Sequence, residues 1–132
     1  MNITINKVIR LQPLYGIIKT KILPMKTSYK FAKLFSNINS KYEFYQTQIS
    51  LIINNYSEKD ENGEPVITED GNFKIQKDKI DACQQKIDEL INLNVEVADI
   101  KFTFDELEQL ELSVEQFMLL IDFCEEEKAD SE

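Results

Sequence analysis

The sequence predicts a mainly α fold of the α+β class. A long antiparallel helical pair carries a β-hairpin at its tip and stands on an N-terminal helix, small strands and a C-terminal helix. Three observations predict this. Phe31, Phe35, Ile38, Tyr42, Tyr45, Ile49, Ile52 and Tyr56 recur at alternating spacings of four and three, an unbroken heptad seam. Asp70-Gly71 lies between two short alternating segments, as a hairpin turn should. Ile80, Cys83, Ile87 and Leu90 repeat the helical spacing and offer a second seam to face the first.

In chain order, Asn2-Ile3-Thr4-Ile5 alternates polar and apolar and reads as a short half-buried strand. Asn6 is the expected N-cap of a helix with apolar positions Val8, Leu11, Tyr15, Ile18 and Ile22. Pro13 should kink or split that helix, because it has no N–H and crowds the preceding turn. Pro24 closes the segment, and Thr27 or Ser28 is the expected cap of the long helix. With no glycine or proline between Met25 and Asn62, a helix through Tyr56 is about 43 Å long. Aromatic residues fill five of its eight seam positions, which suits antiparallel packing on a second helix.

Ser57 to Pro65 breaks the helix with charge and turn formers. Val66-Ile67-Thr68 and Phe73-Lys74-Ile75 then flank the turn. With Asp70-Gly71 in a type I′ turn, Val66 pairs with Ile75 and Thr68 with Phe73, all on one face. The second helix runs from Ile80 to Leu90 or Asn94. It is shorter than its partner, so the base of the long helix must be covered by the two ends of the chain. Val95-Glu96-Val97 and Ile100-Lys101-Phe102 alternate and offer strands for the N-terminal one to join. Thr103-x-x-Glu106 and Ser113-x-x-Gln116 each fit a capping box. The second opens a helix with Phe117, Leu120, Ile121 and Cys124 on one face. The organisation is one domain, residues 1–132: helix, hairpin and helix over 26–93, a base from 1–25 and 94–127, and an acidic tail at 125–132.

The net charge of −9 divides along the chain. Residues 1–57 carry Lys7, Arg10, Lys19, Lys21, Lys26, Lys30, Lys33 and Lys41 against Glu43 alone. Residues 105–132 reverse the balance, with eleven acids against Lys128. Two readings follow: a basic nucleic-acid surface with an acidic tail, or ends that neutralise one another in the fold. The second is preferred, because arginine is nearly absent and fork-like contacts to phosphates and bases favour it. Nucleic acid is therefore not the expected partner.

No catalytic constellation stands out. The acids of the 105–108 segment fall in the first turns of a helix, where the macrodipole explains them. Asp60, Asn62 and Glu64 alternate like an EF-hand loop, but Pro65 stands where the loop glycine belongs. With no histidine and only Cys83 and Cys124 as thiols, a Cys/His zinc site is excluded. The thiols themselves fall at apolar helical positions and read as buried residues rather than a redox pair. No cofactor, metal or catalytic residue is expected. Nothing approaches the roughly 20 apolar residues of a membrane span, and Met1 to Lys7 lacks a signal-peptide pattern. The expected location is the cytoplasm of a bacterial host, or a virion.

Tyr29 and Phe44 fall outside the seam, so they are candidate contact residues. Asp70, Gly71 and Asn72 at the tip, and Glu125, Glu126 and Glu127 in the tail, complete the candidate interaction surface.

Several segments together resemble a family of small uncharacterised bacteriophage proteins. They are Pro24, Lys26-Thr27-Ser28-Tyr29-Lys30, the stretch from Ile52 through Tyr56-Ser57-Glu58-Lys59-Asp60-Glu61-Asn62-Gly63-Glu64-Pro65, and Asp70-Gly71-Asn72. The resemblance covers about two-thirds of the chain and implies phage or prophage origin. It brings no catalytic residues. The expectation is a non-enzymatic phage accessory protein acting by binding another protein, as anti-CRISPR inhibitors of host defence do. The alternative is a virion structural or assembly component, such as a connector, tail accessory or assembly chaperone, with homo-oligomers possible in either case.

Overall fold

The computed structural model describes residues 1–125. The chain opens with β1 (Asn2–Thr4), which leads directly into α1 (Ile5–Ile18). Thr4 caps that helix, its hydroxyl accepting from the Lys7 N–H at 3.2 Å. Asn6, the expected cap, therefore lies inside the helix. Starting earlier carries Ile5 into the core, and Thr4 already serves the third helical donor. Pro13 does not split α1. It sits on the exposed side, where the Ile9 carbonyl that loses its donor can be hydrated. Ile22 lies beyond the helix and is fully exposed.

The long helix, α2 (Met25–Tyr56), spans about 48 Å. It starts at Met25, ahead of both expected caps, with Pro24 at φ −52° setting the entry. Ser28 instead donates its hydroxyl to the Leu23 carbonyl, and Thr27 faces the core. Phe31, Phe35 and Ile38 of the seam are buried, and so is Leu34, which the heptad pattern omits. The stripe is wider here because α1 covers one side of α2 and the C-terminal segment another. Tyr42, Tyr45, Ile49, Ile52 and Tyr56 are only half-buried.

After the tip, a 3₁₀ turn at Lys77–Lys79 feeds α3 (Ile80–Ile91), which returns along α2. Cys83 and Leu90 are its buried residues, while Ile80 is exposed. The helix stops at Ile91, so Asn94 belongs to the next element. That element is β2 (Asn94–Glu96), antiparallel to β1, with Asn2 opposite Glu96, Ile3 opposite Val95 and Thr4 opposite Asn94. The N-terminal strand thus finds its partner in the Val95 segment. The Ile100-Lys101-Phe102 segment forms no strand. Phe102 makes a single parallel bridge to Cys124 and exchanges hydrogen bonds with Phe123 and Glu125.

Two short helices close the base, α4 (Phe104–Glu108) and α5 (Val114–Leu120). Both capping boxes form, Thr103 with Glu106 and Ser113 with Gln116. Glu111, between them, is the single non-glycine residue with positive φ among those described, at 54°. Residues Ile121–Phe123 tighten into a 3₁₀ turn, which rotates the face. Phe123 enters the core and Ile121 is left outside, opposite to the helical expectation.

The tip departs from the expected register. Ile67 pairs with Phe73, Lys74 donates to the Val66 carbonyl, and Thr68 donates to the Asn72 carbonyl. This is one residue out of step with the Val66–Ile75 and Thr68–Phe73 pairing. The cause is the turn. Gly71 N–H donates to the Thr68 carbonyl, and only Gly71 has positive φ, at 82°. A type I turn with Glu69-Asp70 at its centre, followed by a left-handed glycine, replaces the type I′ turn. The slip puts Phe73 on the same face as Ile67, and both are exposed.

A third segment, Ser57-Glu58-Lys59, joins the tip. Val66 donates to the Glu58 carbonyl, Glu58 to that of Lys74, and Lys74 to that of Val66. The three segments therefore close a ring in which each borders the other two. Asp60 organises the first turn of the ring, its Oδ1 accepting from Asn62 N–H and Glu64 N–H. The carboxylate that suggested a calcium loop is used on its own backbone.

Candidate interaction surfaces

The basic and acidic ends of the chain meet in the base. Lys30 on α2 lies 2.8 Å from Glu106 on α4, and Lys7 on α1 lies 3.6 Å from Asp122. Glu106 is the centre of a network. It accepts from Lys30 Nζ, from the Thr27 hydroxyl at 3.1 Å and from the Thr103 N–H at 2.9 Å. Burial alone raises a carboxyl pKa, but these donors outweigh it and hold Glu106 below its usual range. Lys7 is shifted down by burial, against the opposing pull of Asp122.

The capping boxes that fix α4 and α5 also aim their remaining acids outward. From Phe102 to Glu125 the chain has seven acids and no lysine or arginine. Glu106 turns inward and Asp122 pairs with Lys7. Asp105, Glu108, Glu111, Glu115 and Glu125 are exposed. Interleaved with them are exposed apolar side chains: Phe104, Val114, Met118 and Ile121 are 48%, 80%, 61% and 56% exposed. A shallow cavity of about 340 Å³ lies between Phe104, Leu107, Leu112 and Phe117. An acidic surface studded with apolar anchors can dock on a basic, partly apolar surface. Its charge steers the encounter and its apolar contacts hold the complex.

A second surface of different character lies along the distal part of α2. No charged residue falls between Glu43 and Glu58. Phe44 and Leu51, seven apart on one face, are 42% and 57% exposed. Beside it, Ile53, Phe73, Ile75, Ile80, Cys83 and Ile87 line an apolar groove between α2, the tip and α3.

The residues expected to form one interaction surface are dispersed. Tyr29 stands exposed in the second turn of α2, Phe44 lies midway along it, and Asp70, Gly71 and Asn72 are exposed beyond its far end. Glu125 is exposed in the base, its N–H held by the Phe102 carbonyl. Glu126 and Glu127 lie outside the described residues. The α4–α5 apolar set was missed because capping signals accounted for the segment. The one available sign was that Val114 and Met118 lie off the Phe117–Leu120–Ile121–Cys124 line. Both thiols are buried and unbridged, and burial pushes their pKa values up, away from reactivity.

The model of a family described as a protein of unknown function, DUF1617, matches residues 1–132. The chain belongs to the DUF1617 family. No curated protein and no solved structure matches it. The family description names no activity, so the functional reading of this DUF1617 chain rests on its own geometry. Among the described residues, no helix is long and apolar enough to cross a membrane.

Proposed function

We propose that the protein is a non-enzymatic accessory protein that acts by stoichiometric binding, its α4–α5 face seated on a basic surface of a partner protein. One observation carries this: seven acids and no base between Phe102 and Glu125, with four exposed apolar residues among them. Basic grooves belong to proteins that handle nucleic acid. A host nuclease or defence factor is thus the partner class, and inhibition by occupancy is the mechanism. The resemblance to phage proteins across Lys26–Lys30 and Ile52–Pro65 supports a phage or prophage setting.

A photo-crosslinking residue at Met118, in the full chain expressed in bacteria, tests this. The expected product is a covalent adduct with a nucleic-acid enzyme. That adduct is lost when Asp105, Glu108, Glu111 and Glu115 are changed to asparagine or glutamine, and it weakens with salt. No adduct at Met118, or one indifferent to those acids, overturns the reading.

A second reading, a virion structural or assembly component, is favoured by the charge-free face of α2. On a chain of net charge −9, that face is where two copies approach with least repulsion. Mass spectrometry of purified particles tests it, and absence from the particle dismisses it.

A further inference from the structure

A crevice of about 350 Å³ lies between the end of α1, the connection that follows and the first half of α2. Tyr15, Ile18, Leu23, Phe31 and Phe35 supply its apolar wall. The wall is largely aromatic: the Tyr15 and Phe35 ring centroids are 5.0 Å apart, and Phe31 stacks on Phe35 at 6.1 Å. Two cations stand at the connection, Lys19 and Lys21. Lys19 Nζ lies 5.6 Å from the Tyr15 ring centroid, over the wall itself. No carboxylate among the described residues pairs with either lysine. Asn39 also lines the crevice, and its Oδ1 is closed to water with no hydrogen-bond partner. To meet a ligand the Asn39 carboxamide must turn that oxygen into the crevice, where it would gain the hydrogen bond it lacks.

These groups converge on one kind of ligand. Two lysines without acidic partners, an aromatic wall and an amide oxygen closed to water without a hydrogen bond line one crevice. We propose that the crevice binds a small amphipathic carboxylate, an aromatic or short aliphatic acid carrying a hydrogen-bond donor. Its carboxylate meets Lys19 and Lys21, its apolar body lies on Tyr15, Phe31 and Phe35, and its donor satisfies Asn39. The volume matches about a dozen water-sized atoms and falls within the size of small-molecule sites. The site uses α1 and α2, not the acidic α4–α5 face, so it stands or falls independently of partner docking.

The test is titration of the isotope-labelled full chain, followed by amide shifts, with three probes of one shape. Indole-3-acetate offers the carboxylate and an N–H, 1-naphthylacetate lacks the N–H, and tryptamine reverses the charge. Indole-3-acetate is expected to give saturable shifts confined to Ile18–Leu23 and Ala32–Asn39. Tryptamine should bind about ten-fold more weakly, and 1-naphthylacetate should fall between the two. Ala32→Trp fills the crevice from an exposed helical position and should abolish saturation with the helical spectrum unchanged. Lys19→Gln with Lys21→Gln should weaken indole-3-acetate and, by removing like charge, tighten tryptamine, narrowing the gap between them. The proposal is overturned by equal binding of tryptamine, by shifts that survive Ala32→Trp, or by no saturable shift at millimolar probe.

Discussion

The base and the stalk share one helix but bury it to very different depths. In the base, α1, the first half of α2 and the segment from Val97 to Cys124 surround a common core. Val8, Leu11, Leu34, Ile38, Phe102, Leu110 and Phe123 there are wholly inaccessible. In the stalk, the distal half of α2 has only α3 and the tip beside it. Its seam residues stay half-buried, and Cys83 and Leu90 are the apolar residues of α3 that reach burial. Two helices side by side give each other one stripe, and a third layer is needed to close the remaining sides. A good heptad seam therefore predicts contact without predicting depth. It follows that stability is distributed unevenly, with the stalk free to open locally while the base holds.

Paired truncations test that difference most severely. Phe102 stacks on Phe31 at 4.2 Å and is fully buried, so Phe102→Ala is expected to cost about 3–5 kcal/mol. Ile52→Ala in the half-covered seam should cost about 1–2 kcal/mol, because less apolar area leaves the protein and solvent fills the gap. Chemical denaturation of both variants measures the contrast. Equal costs mean that the stalk is packed as tightly as the base.

The Glu106 network sharpens the comparison through pH, because it is sheltered in the base, whereas the carboxylates at the tip, Glu58 with Lys74 and Asp60 with its own turn, stand at the surface. The folded state lowers the Glu106 pKa, so its contribution is fully present above the unfolded carboxyl value. It is lost as pH falls through the depressed folded value. The base should therefore weaken in acid, below the ordinary glutamate range of about 4.3. Glu106→Gln should remove much of that dependence and cost about 1–3 kcal/mol at neutral pH, since Lys30 and Thr27 lose a charged acceptor. Denaturation of both proteins across this range reads the effect. An unchanged acid slope in Glu106→Gln assigns the dependence to other carboxylates.

The base was legible in the sequence wherever a local rule and the tertiary environment agreed. Thr103 with Glu106 and Ser113 with Gln116 are caps set by residues three apart, and both form. Alternation offered the Val95 and Ile100 segments alike as partners of the Ile3 strand, and the first of them pairs. Leu34 and Phe123 were not legible, since each owes its burial to a neighbour distant in sequence or to a local change of helix type. Lys30 and Glu106 could be expected to meet only as members of opposite charge blocks. The surface sites were least legible. Exposure of Met118 or Ile121 is a fact about what fails to cover them, and the unpartnered Asn39 has no sign in the sequence.

The smallest effects lie at the tip, where the choice between two turns makes opposite predictions. In a type I′ turn at Asp70-Gly71, Glu69 belongs to a paired strand and proline there removes a ladder donor. In the observed turn, Glu69 is the first central residue, a position that favours proline, and its N–H serves no backbone acceptor. Glu69→Pro is thus expected to be neutral or to stabilise the tip by up to about 0.5–1 kcal/mol. Gly71→Ala works in the other direction. A Cβ there meets no atom within 4 Å, so its cost of about 1 kcal/mol comes from the left-handed backbone alone, at φ 82°. Amide hydrogen exchange at Thr68, Gly71 and Lys74 reads the tip without depending on global unfolding. Slower exchange in Glu69→Pro with faster exchange in Gly71→Ala supports the one-residue slip. Faster exchange in Glu69→Pro restores the type I′ turn and returns Val66 to its place opposite Ile75.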